Sequence, residues 1–238
     1  MSGRVVFEAE GIDVFYGASQ ILFGVSLSVT EGQTMALLGR NGAGKSTTLK
    51  ALAGIAPPSR GKVKVLGREM QGRKPHLIAR AGLGFVPEDR QVFPEHSVED
   101  NLVIAAKKGP DRQDYWNLAR IYEMFPLLVP LKARMAGRLS GGEQQMLTIA
   151  RTLMGNPTGL LLDEPSEGLA PVIVERIGEL LVKLRDMGVT VLLAEQNMHF
   201  CLGIASHATV IDKGQIVYRD TIEALRNNDA VKSRYLAL

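Results

Sequence analysis

Apolar residues in this chain come in short runs separated by glycine, proline or charge, and their spacing shifts between two and about 3.6 residues. Hydrophobic and polar positions alternate weakly over residues 5–10, which predicts a strand continuing through residues 12–15 toward Tyr16-Gly17. Residues 21–29 alternate as well, with Leu22, Leu27 and Val29 expected to face inward. After a turn at Glu31-Gly32, residues 34–38 form a short unbroken apolar run that stops at Gly39. Such a run suits a strand covered on both faces. Residues 46–53 read as a helix closed by Gly54 and Pro57-Pro58. Further strands are expected at 62–66 and 83–86, the latter ending on Pro87.

The texture changes at Ser97. Ser97-Val98-Glu99-Asp100 has the form of a capping box, and helical spacing then runs to about Leu131, interrupted at Gly109-Pro110 and Pro126. Residues 88–158 are therefore expected to form a mostly helical subdomain inserted in an α/β core, within one domain spanning 1–238. The core resumes at 159–163, a continuous apolar strand ending in acid. Residues 172–187 put Ile173, Ile177, Leu180, Leu181 and Leu184 on one helical face. Strands follow at 189–194 and 208–211, and Asp212-Lys213-Gly214-Gln215 fits a hairpin loop before 216–218. Short apolar strands alternating with helices imply a doubly wound, mostly parallel sheet.

Composition narrows little. With 238 residues, 45% hydrophobic and 22% charged, the chain can fill a sizeable core. A net charge of +3 suits phosphates or an anionic surface without selecting either. Cys201 stands alone, which rules out an intrachain disulfide and fits a reducing compartment. The N-terminal residues lack the pattern of a secretory signal, and no apolar run approaches the ~18–20 residues of a membrane-spanning helix. The histidines His76, His96, His199 and His207 lack metal-ligand spacing, and nothing resembles an arginine-rich nucleic-acid reader.

The chemistry sits in three strings. Gly39-Arg40-Asn41-Gly42-Ala43-Gly44-Lys45-Ser46-Thr47 fits the phosphate-loop pattern and lies between an apolar strand and a helix, the context that pattern requires. Its glycines allow backbone N–H groups to converge on an anion, Lys45 would reach the β- and γ-phosphates, and Ser46 would bind Mg²⁺. Leu160-Leu161-Leu162-Asp163-Glu164 ends a buried strand in acid, so Asp163 suits the metal and Glu164 a general base. Ser140-Gly141-Gly142-Glu143 has the form of a capping box, yet a cap does not need paired glycines. Bare N–H groups at that helix start would also suit a phosphate.

The string Leu139-Ser140-Gly141-Gly142-Glu143-Gln144-Gln145 resembles the signature of ATP-binding-cassette (ABC) ATPases, and with the phosphate loop the resemblance covers nearly the whole chain. It implies an ABC-type P-loop NTPase: a mostly parallel sheet core with an N-terminal antiparallel β element and a helical subdomain. It further implies that ATP and Mg²⁺ are held between two ATPase chains arranged head to tail. Residues 39–47 of one chain would face Ser140, Gly141 and Gly142 of the other. Tyr16 would stack on adenine, although as a tyrosine it would equally suit the core. Ser166-Glu167-Gly168-Leu169-Ala170 would occupy the D-loop at the seam.

Two positions depart from the family pattern. Glu88 stands where most members have a glutamine that reaches the metal, and Gln196 where most have a switch histidine. Glutamate still ligates Mg²⁺, whereas glutamine donates a hydrogen bond but carries no proton. With Ala194-Glu195-Gln196-Asn197 and Asp163-Glu164-Pro165-Ser166-Glu167-Gly168, these resemble the ATPase subunits of bacterial branched-chain amino-acid importers. Importers of urea or short amides share much of the pattern, and a soluble cluster-assembly ATPase or a non-hydrolysing ATP-binding module are the alternatives. The importer resemblance implies membrane permease subunits, a second ATPase, a periplasmic binding protein and a place on the cytoplasmic face of the inner membrane. The membrane partner is expected to dock near residues 90–93.

Overall fold

A computed structural model describes residues 3–236, and in it the alternating N-terminal stretches become two long strands, β1 (Val5–Tyr16) and β2 (Ser19–Thr30). The pair is antiparallel, and β4 (Arg60–Val65) and β5 (Arg68–Glu69) extend it to a four-stranded sheet ordered β2-β1-β4-β5. Leu22, Leu27 and Val29 are buried as expected, and Val25 joins them.

The second sheet has six strands, ordered β10-β9-β3-β8-β7-β6. These are β3 (Thr34–Leu38), β6 (Leu83–Val86), β7 (Gly159–Asp163), β8 (Thr190–Glu195), β9 (His207–Asp212) and β10 (Gln215–Thr221). All neighbours are parallel except β10, which pairs antiparallel with β9 at one edge. The turn between β9 and β10 places Lys213 and Gly214 both at positive φ, the backbone that a two-residue hairpin with right-handed twist requires.

Alternation explains why the central strands are apolar throughout. Met35 and Leu37 of β3 point into one core, and Ala36 and Leu38 into the other. Leu161 separates from Leu160 and Leu162 in the same way. One core lies between this sheet and the N-terminal sheet, with α1 (Lys45–Leu52) contributing Leu49 and Leu52. The other lies under α5 (Gly141–Met154) and α6 (Pro171–Asp186). On α6, Ile177, Leu180, Leu181 and Leu184 are buried and Ile173 is half-buried, close to the predicted face.

The region between β6 and β7 contains α3 (Val98–Ala105), α4 (Leu118–Met124) and α5, with short 3-10 turns at the expected breaks, Gly109-Pro110 and Pro126. Pro110, Pro126 and Pro130 lie in those turns and remove backbone donors that an α-helix needs. Among the described residues, four short helices escaped the periodicity: α2 (Pro75–Arg80), α7 (Met198–Leu202), α8 (Ile222–Arg226) and α9 (Asp229–Val231).

Candidate functional site

Four parallel strands end at the same edge of the sheet. Register pairs Leu38 with Glu195, Asp163 with Ala194, and Val86 with Leu162. The segments that follow β3, β7, β8 and β6 therefore emerge side by side, which is where open α/β sheets bind ligands. These segments carry residues 39–47, Glu164, Gln196 and Glu88.

The loop after β3 is shaped by close approach. A Cβ on Gly39 would meet the Ile211 carbonyl at 2.4 Å, and one on Gly44 would meet a Leu22 methyl at 2.8 Å. Gly44 also has φ +110 as it opens α1, a backbone open to glycine and strained for other residues. Ala43 is buried, Gly39 and Gly44 likewise, while Arg40, Asn41 and Gly42 form the exposed crest and Ser46 and Thr47 are half-buried. The Gly214 N–H donates to the Ala43 carbonyl, tying the crest to the β9–β10 hairpin.

Lys45 is buried, 3% exposed, and fully engaged. Its Nζ donates to the carbonyls of Gly39 at 2.9 Å and Arg40 at 3.2 Å, and lies 3.0 Å from Glu164 Oε1. Ser46 Oγ donates to Asp163 Oδ1 at 2.8 Å. Burial pushes the Asp163 carboxyl up to about 6, against the Ser46 hydrogen bond and the Lys50 charge. Glu164 has φ +45, and its N–H donates to the Ala194 carbonyl at 3.0 Å. Burial alone would raise its pKa, but hydrogen bonds from Glu167 and Lys45 win and hold it below the ordinary carboxylate value.

Two acids that sequence spacing did not single out meet at the turn after Glu164, one within it and one from the end of β8. Glu167 shares a hydrogen bond with Glu164 that pushes its own carboxyl up to about 7, with burial and nearby acids adding to the shift. Buried Glu195 accepts from Ser166 Oγ at 2.6 Å and from the Ser166 N–H at 3.2 Å, while its burial raises its pKa. An acid closing the apolar strand at 190–195, parallel to the one closing 159–163, was the available signal for Glu195.

The other predicted residues divide. Glu88 is exposed and near enough to Asp163 and Glu167 for its charge to raise both. Gln196 is exposed at the end of β8. Tyr16 is 50% exposed at the end of β1, so it is not a core tyrosine. His199 is exposed on α7. Ser140, Gly141 and Gly142 make their contacts away from the loop at 39–47, at the start of α5. Ser140 caps that helix through a capping box with Glu143; a Cβ on Gly141 would meet Arg90 Nη1 at 2.6 Å, and one on Gly142 would meet Ile173 at 2.6 Å.

The oxygen donors Ser46 and Asp163 suit a hard cation such as Mg²⁺, which keeps several waters and needs few protein ligands. The buried ammonium of Lys45 and the glycine crest suit a phosphate chain. The cluster suits a phosphate chain, with Ser46 and Asp163 as the residues that would hold a cation beside it.

Comparison with known proteins agrees with this geometry. Residues 22–167 match the family model described as "ABC transporter". The chain is 43% identical over 226 residues to the high-affinity branched-chain amino acid transport ATP-binding protein BraG of Pseudomonas aeruginosa, covering 94% of this chain and 97% of that protein. It is 35% identical to the probable branched-chain amino acid transport ATP-binding protein LivF of Archaeoglobus fulgidus, over 90% of this chain and 91% of that one. Among solved structures, the ADP conformation of an ATP-binding cassette of an ABC transporter superposes with a TM-score of 0.82 at 27% identity, covering 96% and 97% of the two chains.

Proposed function

The chain belongs to the ABC transporter family of ATP-binding proteins, and from that premise we propose that it is the ATPase subunit energising an importer of branched-chain amino acids. The identity of 43% to BraG across nearly the full length supports that solute class. The observation that carries the chemistry is the pairing of Lys45 with Glu164 and of Ser46 with Asp163.

Each group then has a task. A triphosphate entering the crest competes with Glu164 for Lys45, because both offer anionic oxygen to the same ammonium. Release from Lys45 leaves the Glu164 carboxylate available to take a proton from water as general base. Bound Mg²⁺ would offset charge on the phosphate oxygens, with Ser46, Asp163 and Glu88 as the residues to hold it. Gln196 would donate an amide hydrogen bond toward the phosphates without moving a proton. Tyr16, exposed at the β1–β2 turn, would cover the base with its ring face. Ser140, Gly141 and Gly142 of a second ATPase chain, a copy or a paralogue, would close over the bound nucleotide. Tighter binding of ATP by the closed pair than by the open one supplies the drive.

No helix among the described residues is long and apolar enough to cross a membrane, so permease subunits would carry the pathway. We read residues 88–158 as the helical subdomain. A groove of about 500 Å³ runs between it and the sheet, lined by Ile55, Phe85 and Ile104 with the cations Lys107 and Arg151. It adjoins the expected docking segment, since Arg151 Nη2 donates to the Gln91 carbonyl at 2.6 Å and its guanidinium lies over the Phe93 ring. A short partner helix with apolar and acidic residues fits that lining, on the cytoplasmic face of the inner membrane.

The test is to reconstitute the chain with its co-purifying membrane subunits and periplasmic binding protein in vesicles. ATP-driven uptake of leucine and valine, exceeding that of polar amino acids and urea, is the expected result. Uptake of urea alone would overturn the solute assignment while leaving the ATPase intact.

A further inference from the structure

Arg90 occupies a position that neither the phosphate-loop pattern nor the signature assigns. It lies in the segment after β6, with φ +63, followed by Gln91 at φ +34. Two consecutive left-handed residues without glycine are costly unless the surroundings hold them. Here they are held from α5: Thr148 Oγ1 donates to the Arg90 carbonyl, and Arg151 donates to the Gln91 carbonyl. Thr148 is fully buried, and the neighbouring Phe93 is fastened at both its N–H and its carbonyl by buried Asn101.

The fixed backbone aims the Arg90 side chain at two other segments. Its Nη1 lies against Gly141, at the first turn of α5, closely enough that a Cβ there would come within 2.6 Å. Its Nη2 reaches the Glu167 carbonyl at 3.5 Å and borders Gly168, where a Cβ would lie 3.9 Å away. The guanidinium thus fills the space between the start of α5 and the turn that follows Glu164. That turn is continuous with the general base, because the Glu167 N–H donates to the Glu164 carbonyl at 3.1 Å.

We propose that Arg90 is a positioning residue for ATP turnover, a planar spacer that fixes residues 140–142 relative to Glu164 and the 166–168 turn. The inference rests on the assignment of Glu164 as general base and of residues 140–142 as the seal over a partner's nucleotide. A lysine in this place would supply charge but not the flat, two-sided fork that touches both glycines. Misplacement of reacting groups by about 1 Å costs up to ~100-fold in rate. Removal of one spacer in a half-exposed setting should cost about tenfold.

The experiment measures MgATP turnover, ATP affinity by fluorescent-nucleotide titration, and melting temperature for the full chain and for Arg90→Met, Arg90→Lys and Glu164→Gln. Arg90→Met keeps the aliphatic stem and the backbone contacts. It is expected to lower kcat about tenfold, with ATP affinity within twofold and an unchanged melting temperature, since the phosphate loop is untouched. Arg90→Lys is expected to recover only part of the rate. Turnover of Arg90→Met within twofold of the parent overturns the inference. So does a rate loss matched by a large fall in melting temperature, which would assign Arg90 to folding alone. Glu164→Gln separates the two levels: its turning over like the parent would strike the assignment of the base itself, and the role of Arg90 with it.

Discussion

The two regions proposed to hold the nucleotide have opposite character. Around residues 39–47 the two groups assigned to phosphate and cation already have partners, with Lys45 on Glu164 and two carbonyls, and Ser46 on Asp163. At residues 140–142 the start of α5 offers backbone N–H groups beside an exposed serine whose own bonds are local. The first region is closed on itself and must be opened by its ligand. The second is capped but incomplete, and its unclaimed donors suit a phosphate brought by another chain. On the proposed function, such a division makes ATP turnover depend on the meeting of two chains and links catalysis to a motion between them.

The closed region is the easier to break. Lys45→Ala removes the ammonium that would pair with the phosphates, and loss of one member of a buried charged pair at a binding site costs ~3 kcal/mol. Equilibrium titration should show ATP affinity falling by roughly 100-fold, and near-normal affinity would contradict the assignment of Lys45 to the phosphates. Glu164→Gln sharpens the contrast by removing the base while weakening the carboxylate that competes with ATP for Lys45. Phosphate release should drop about 100-fold or more while ATP still binds, the usual scale for a general base.

The incomplete region is expected to respond more weakly in the single chain. Ser140→Ala removes the cap that accepts from the Glu143 N–H, worth about 1 kcal/mol to the helix and measurable by denaturant unfolding. If the serine also seals a partner's nucleotide, turnover of the assembled pair should fall several-fold at saturating ATP; unchanged turnover would leave it only a cap.

The smallest expected effect is on pH dependence, and it belongs to the closed region. Asp163, Glu167 and Glu195 all have raised values, so the folded chain keeps protons that the unfolded chain has released. Their contribution to stability is complete below the unfolded carboxylate range near pH ~4 and is lost as pH rises. The loss passes through about 6 for Asp163 and about 7 for Glu167. Glu164, held low, runs the other way, and its contribution fades only in acid below that range. The melting temperature of the nucleotide-free chain should therefore decline between about pH 5 and about pH 8, and Glu167→Gln should flatten part of the decline. Glu167 is exposed, so its share is modest.

The same division governs what could be read from the sequence. The strands at 34–38 and 159–163 match prediction residue for residue, because each is an unbroken apolar run ended by glycine or acid. Those runs lead straight into Lys45 and Asp163, so the closed region was legible from local pattern alone. The helix at 75–80 buries only Ile78, too little for a periodic signal. The part played by Arg90 was hidden for a different reason. Its partners Gly141 and Glu167 lie 51 and 77 residues away in the chain, and only packing brings them together. Glu195 is similar, since its meaning depends on Ser166 from the neighbouring strand's loop.

The central claim is that a nucleotide bridges two chains, with residues 39–47 on one side and residues 140–142 on the other. It is tested most directly by disulfide trapping in the assembled complex, using Asn41→Cys and Ser140→Cys, both exposed, in a Glu164→Gln background. The native Cys201 is buried and does not compete. The account predicts an interchain crosslink that forms with MgATP and fades with ADP or without nucleotide. Absence of that crosslink under every nucleotide condition would contradict it.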